Sequence, residues 1–194
     1  MQRTIQLLAF FFIHSISFAQ LDYGKISSPK AVVAFKKKDC IACDPTKGVN
    51  NIYESKNELE IRLHFVDSNN VIHLYVLSYD SLKNWSCILI LDTISDVKDR
   101  KLLMKNPSKK YLLTPDISYE TVFNTLKENK IFKLQSDPGF EFRNQYSILF
   151  KAGKKICYYL FSNLSTIGNP NVQTDAVYYF NILDIFKNHF KVNN

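Results

Sequence analysis

Glycine and proline are scarce in this chain of 194 residues, with 5 and 6 copies. Their scarcity excludes collagen-like and linker-dominated architectures. Charged residues make up 22% against 46% apolar residues, which excludes a disordered polyelectrolyte. Outside residues 4–19, no apolar run approaches the roughly 18 residues of a membrane span. Several chemistries lack their motifs. No G-x-x-x-x-G-K-[ST] is present for nucleotide phosphates, and no G-x-S-x-G sets a serine nucleophile. Asp92, Asp96 and Asp99 lack the central Gly and terminal Glu of a calcium loop. No cofactor and no metal are expected. A hydrolase without a readable motif would have to show a deep cleft.

What is there begins with an address. Arg3 supplies a positive start, Leu7 to Ile13 a short apolar stretch, and Ser17-Phe18-Ala19 the small residues that signal peptidase reads. Residues 1–19 are therefore expected to be a signal peptide, cleaved before Gln20. The first Cys is Cys40, so no lipid-anchored Cys stands at the cleavage point. Loss of Arg3 takes the formal net charge from +7 to +6. Residues 20–194 are long enough for one core and are expected to form a single exported domain, periplasmic or secreted, with no membrane span after cleavage.

The mature chain reads as hairpins and two helices. Leu59, Ile61, Leu63 and Phe65 alternate with Glu58, Glu60, Arg62 and His64, the period of a half-buried strand. Ser68-Asn69-Asn70 is a turn signal. Val71 to Tyr79 follows as a strand with Ile72, Leu74 and Val76 on its core side. Trp85 to Leu91 makes a third strand, and Tyr111 to Leu113 a short piece. Ser118 is a good N-cap for a helix bearing Val122, Phe123 and Leu126. Ile131, Phe132 and Leu134 then lead into the core. A second hairpin turns at Ala152-Gly153, with Tyr146, Ile148 and Phe150 alternating on one arm and Ile156, Tyr158 and Leu160 on the other. Asn163 to Gln173 reads as a loop, and a final helix runs from Thr174 to about Phe190. Its wet side carries Asn181, Asp184 and Asn188. The expected class is α+β: an antiparallel sheet of hairpins with two amphipathic helices packed on it, in the order β-β-β-α-β-β-α.

Four cysteines carry the sharpest chemical signal. Cys40-Ile41-Ala42-Cys43 is a C-x-x-C preceded by the apolar run Ala31 to Phe35, the arrangement with which thioredoxin-like redox sites begin. Asp39 opposes thiolate formation, and the segment after Cys43 is a poor helix. The competing expectation is structural disulfides in an oxidising compartment. Of three connectivities, Cys40–Cys43 with Cys87–Cys157 is favoured, the long bridge contributing about 4 kcal/mol. Buried free thiols at Cys87 and Cys157 are the alternative. A zinc site would need two further ligands, and His64, His73 and His189 form no second close pair.

His64 and His73 flank the first turn. They face each other if it centres on Ser68-Asn69, whereas His64 faces Tyr75 if it centres on Asn69-Asn70. A pI near 9.1 invites a nucleic-acid reading. However, Lys36-Lys37-Lys38, Lys109-Lys110 and Lys154-Lys155 are scattered, and a phosphate stripe must be contiguous. Nucleic acid is not an expected partner. Eleven Tyr and fifteen Phe are many for this length. Tyr75 and Tyr79 fall on the polar side of their strand, and Phe140 and Phe142 begin theirs. Exposed together, these four would suit a protein partner.

The leader ending Phe18-Ala19-Gln20 and the Lys/Asn/Ile/Tyr-rich body resemble small secreted proteins of Bacteroidota. The stretch from Ser118 to Leu134 is similar to a recurrent piece of uncharacterised proteins in that group. There a short helix with an apolar exit precedes a hairpin, a loop with Asn-Pro (here Asn169-Pro170) and a C-terminal helix. The resemblance covers roughly residues 110–190. It implies an uncharacterised family and so transfers no catalytic residue. The expectation is a non-catalytic periplasmic or secreted domain that binds a protein or another macromolecule of the cell envelope. The alternative is a thiol–disulfide redox protein using Cys40 and Cys43.

Overall fold

The computed structural model describes residues 21–23, 52–93, 109–134, 146–161 and 170–193. A 3-10 turn, Ile52–Glu54, leads into β1 (Leu59–Val66), β2 (Val71–Tyr79), β3 (Trp85–Thr93) and β4 (Lys109–Pro115). Helix α1 (Tyr119–Glu128) follows, then β5 (Tyr146–Ala152), β6 (Lys155–Phe161), α2 (Pro170–His189) and β7 (Phe190–Val192). The strands form one sheet in the order β6-β5-β1-β2-β3-β4-β7, every neighbouring pair antiparallel. The fold is α+β, with β4 lengthened from the expected fragment and β7 added at the sheet edge. Among the described residues, no helix is long and apolar enough to cross a membrane.

The two helices form as their sequences direct. Ser118 caps α1, its side chain accepting from the Thr121 N–H at 3.0 Å. Val122, Phe123 and Leu126 are buried beneath it, with Ile131, Phe132 and Leu134 beyond its end. Helix α2 starts four residues earlier than expected, at Pro170, where a missing N–H costs nothing. It stops at His189 because Phe190 is drawn into the ladder opposite Pro115.

Both loops of the β1–β2–β3 meander contain three residues. The Asp67 N–H donates to the Val71 carbonyl at 3.0 Å, and the Asp80 N–H to that of Asn84 at 3.0 Å. The third loop residue takes a left-handed backbone, Asn70 at φ 60° and Lys83 at φ 69°, the form in which a type I turn closes on a bulge. Each Asp carboxylate locks its loop. Asp67 Oδ1 accepts from the Asn69 and Val71 N–H groups, and Asp80 Oδ1 from those of Leu82 and Asn84.

An odd loop changes which face of β2 meets the helices. Phe65 pairs with His73, Leu63 with Tyr75, and Leu59 with Tyr79. Tyr75, Leu77 and Tyr79 therefore point toward the helices, while Leu74 and Val76 join Ile90 in a separate cluster on the other face. This corrects the expectation that Ile72, Leu74 and Val76 face the main core. The second hairpin behaves similarly. A two-residue loop, with Gly153 at φ 57°, pairs Phe150 with Cys157 and Ile148 with Tyr159. Cys157 and Tyr159 join the main core, and Ile156 and Tyr158 pack with Ile52 and Leu149 on the far side.

The main core is a run of aromatic contacts. Trp85 lies parallel to Tyr119 at 5.8 Å and also meets Tyr79 and Phe123. Phe123 leads to Phe132, Phe132 to Phe150, and Phe150 to Tyr159. Most aromatic residues among the described ones join this core, where each ring buries a large area and neighbouring rings find tilted or offset partners.

Candidate functional site

Among the described residues, those singled out from sequence do not converge. Tyr75 and Tyr79 are 7% and 8% exposed and belong to the core, so neither can form the expected partner surface. Phe140, Phe142, Cys40 and Cys43 lie outside the described residues. Cys87 and Cys157 are free and buried. Strands β2, β1 and β5 stand between theirs, so four ladder steps of about 4.8 Å separate them. A disulfide requires Cα atoms within about 7 Å, so the expected Cys87–Cys157 bridge is corrected to two separate thiols. Burial pushes both thiols up from their ordinary pKa, Cys87 strongly, which makes them poor nucleophiles.

The two histidines of the first hairpin point to opposite faces. His64 pairs with Leu74 and His73 with Phe65, so neither anticipated register holds. His73 stacks on Phe65 with centroids 4.5 Å apart and an interplanar angle of 7°. Its Nε2 lies 2.9 Å from Asp67 Oδ2. Among the described residues, no three His, Cys, Asp or Glu side chains gather as a metal site would require.

Two polar assemblies were not legible as sites. The first is the row on β1 that alternation assigns to solvent. Glu60, Arg62 and His64 are 4%, 1% and 5% exposed. Arg62 places Nε at 2.7 Å and Nη2 at 2.5 Å from Glu60 Oε1. Glu60 Oε2 accepts from Ser55 Oγ at 2.5 Å and Asn57 Nδ2 at 2.8 Å. Lys151, opposite Glu60 on β5, donates to the Ser55 and Asn57 carbonyls. Tyr158 completes the neighbourhood on β6. Burial pushes its phenol up to about 12, against a hydrogen bond with Ser147 that lowers it. At neutral pH such a phenol keeps its proton, and the Glu60 carboxylate is committed to three partners. The arrangement suits a fixed polar lock better than proton transfer.

The second assembly is open. Where the end of α1 meets α2, Asn129, Asn181, Asp184, Ile185, Asn188 and His189 line a hollow of about 230 Å³. Asn129 is the C-cap of α1, and its Nδ2 donates to the Thr125 carbonyl at 2.9 Å. Its Oδ1 accepts from Asn181 Nδ2 at 3.0 Å. His189 Nδ1 sits 2.9 Å from Asp116 Oδ1, and its backbone carbonyl accepts from the Asp116 N–H at 2.8 Å. These contacts hold the walls from behind. Asn181, Asp184 and Asn188 are the residues that the sequence places on the wet side of α2. The partner 52 positions away, Asn129, had no signal in the sequence.

Four lysines outside the short basic clusters of the sequence lie over aromatic rings. Lys83 covers Tyr79, Lys127 Phe123, Lys130 Tyr178 and Lys187 Phe65, at 4.2–5.6 Å from the centroids. Their stems roof aromatic surface while the ammonium groups stay wet. Lys127, Lys130 and Lys133, with Tyr23 and Phe132, also border a smaller hollow of about 120 Å³.

Compared with models of known families, with curated proteins and with solved structures, the chain matches none.

Proposed function

We propose that the chain is exported and serves, in the periplasm or outside the cell, as a non-catalytic domain that binds a macromolecule of the cell envelope. The leader-like residues 1–19 support the export. The observation that carries the binding is the contrast between two kinds of polar group. Asp67–His73, Glu58–Lys83 and Glu60–Arg62 are tied to one another at loop ends or inside the sheet. The hollow beside α1 and α2 instead presents side chains with free polar ends on an open surface. The formal charge of +6 left after loss of Arg3 from the +7 of the full chain favours approach to an anionic envelope.

Two measurements test this. Cell fractionation with N-terminal sequencing should recover a chain beginning at Gln20 outside the cytosol. Purified chain should co-sediment with isolated envelope and withstand a moderate-salt wash. An intact Met1 in the cytosol, or a chain left wholly in the supernatant, would overturn the proposal.

A thiol–disulfide activity at Cys40 and Cys43 is the competing reading, favoured by the C-x-x-C spacing. It requires a Cys40 thiol more acidic than the ordinary value near 8.5. A thiol titration with an insulin-reduction assay separates the two readings.

A further inference from the structure

We infer that the hollow between the C-terminal end of α1 and α2 holds one unit of an uncharged saccharide. This rests on the envelope-binding reading and narrows its partner to a glycan. Its volume of about 230 Å³ falls below the roughly 300–1,000 Å³ of a drug-sized site, a scale suited to a single ring rather than an extended ligand.

The polar groups are held at one end and free at the other. Asn181 gives Nδ2 to Asn129 and keeps Oδ1. His189 commits Nδ1 to Asp116 and keeps Nε2. Among the described residues, the side chains of Asp184 and Asn188 make no hydrogen bond or ion pair. A hydroxyl both donates and accepts. A carboxamide offers a carbonyl and an NH₂ side by side, and a carboxylate accepts two hydrogen bonds at once. Asp184 and Asn188, four residues apart on one helix face, thus complement neighbouring hydroxyls on a ring.

Other ligands fit less well. An anion would meet the Asp184 carboxylate. The nearby ammonium groups are engaged elsewhere, Lys130 over Tyr178 and Lys191 on the Asn188 carbonyl. A divalent cation would find one carboxylate and no cluster of three ligands among the described residues. Ile185 is the one apolar residue lining the hollow and is buried at 7% exposure, so recognition there rests on the polar groups.

The test is affinity electrophoresis of the purified chain through gels containing dextran, mannan, galactan or xylan. At least one should retard the wild type, with release by its free monosaccharide. Asp184→Ala and Asn188→Ala, both at exposed helix positions, should each weaken retardation at least tenfold while circular dichroism stays unchanged. Lys133→Gln, away from the hollow, should be retarded as strongly as wild type, each measured against its own mobility in a gel without polysaccharide. The saccharide assignment falls if no polysaccharide retards the wild type, or if both alanine variants are retarded equally with it. Envelope co-sedimentation run in parallel separates the two levels. Envelope binding without polysaccharide retardation rejects the glycan and leaves the broader reading standing, whereas loss of both rejects the broader reading too.

Discussion

His73 and Asp67 close the first hairpin from opposite sides of its loop, Nε2 to Oδ2 at 2.9 Å. The same carboxylate accepts two backbone N–H groups of the loop. The His73 hydrogen bond, with help from the Val71 and Asn69 N–H groups, holds the Asp67 carboxyl below the usual range. A depressed carboxyl pKa stabilises the fold above the unfolded value of about 3.9, and the effect fades as pH falls through the lower folded value. Asp67→Ala should therefore lower the urea midpoint clearly at pH 7, and the gap to wild type should narrow between about pH 4 and pH 2. Asp80→Ala should follow the same course, because loop hydrogen bonds depress the Asp80 carboxyl as well. Gaps that stay constant over this pH range would show that the carboxylate charge contributes nothing to either loop.

The placement of Tyr75 makes a second prediction. Its ring meets Phe186 at 5.4 Å in the main core. Tyr75→Ala should cost about 3–5 kcal/mol, as truncation of a large buried aromatic does. A tyrosine on a wet face would cost about 0.5 kcal/mol or less. Urea denaturation distinguishes the two outcomes, and a small value would restore the other phase of β2.

The thiols give a third. Cys87 and Cys157 should resist a water-soluble thiol reagent in native protein at pH 8 and react fully in urea. Burial both blocks access and disfavours the thiolate. Peptide mapping without reductant should find neither residue in a bridge. A Cys87–Cys157 cross-linked peptide would contradict the strand order itself.

These outcomes mark where the sequence was readable. Helix α1 was legible because its signals are local: Ser118 is its own cap, and Val122, Phe123 and Leu126 share one face. The phase of β2 was not. Ile72, Leu74 and Val76 alternate with His73, Tyr75 and Leu77, and either set can line a core. The choice depends on Asn70 accepting a left-handed backbone, which makes the loop odd. The burial of Glu60, Arg62 and His64 was hidden for a different reason. Polar residues at period two normally mark water, and only tertiary packing brings Ser55 and Asn57 to the Glu60 carboxylate that in turn holds Arg62. The hollow needed both helices in place, since Asn129 and Asn181 meet only when α1 ends beside α2.

The buried pair on β1 yields the last prediction. Removing either charge leaves the other uncompensated inside the protein, at a cost of about 3–5 kcal/mol. Glu60→Leu and Arg62→Met should each show a loss on that order. Replacing both by apolar residues of similar volume, Glu60→Leu with Arg62→Met, removes the uncompensated charge together with its partner. The double variant should thus be far more stable than the sum of the single losses, a coupling that a double-mutant cycle in urea measures directly. The pair also opposes misregistration. A one-residue slip of β1 would turn Glu60, Arg62 and His64 into the aromatic core and send Ile61 and Leu63 out of it. The double variant lacks most of that penalty. Its amide NMR spectrum should show extra resonances from a second β1 register that the wild type lacks. Additive single losses would mean that the two side chains act independently, despite the 2.5 Å separation of Arg62 Nη2 from Glu60 Oε1.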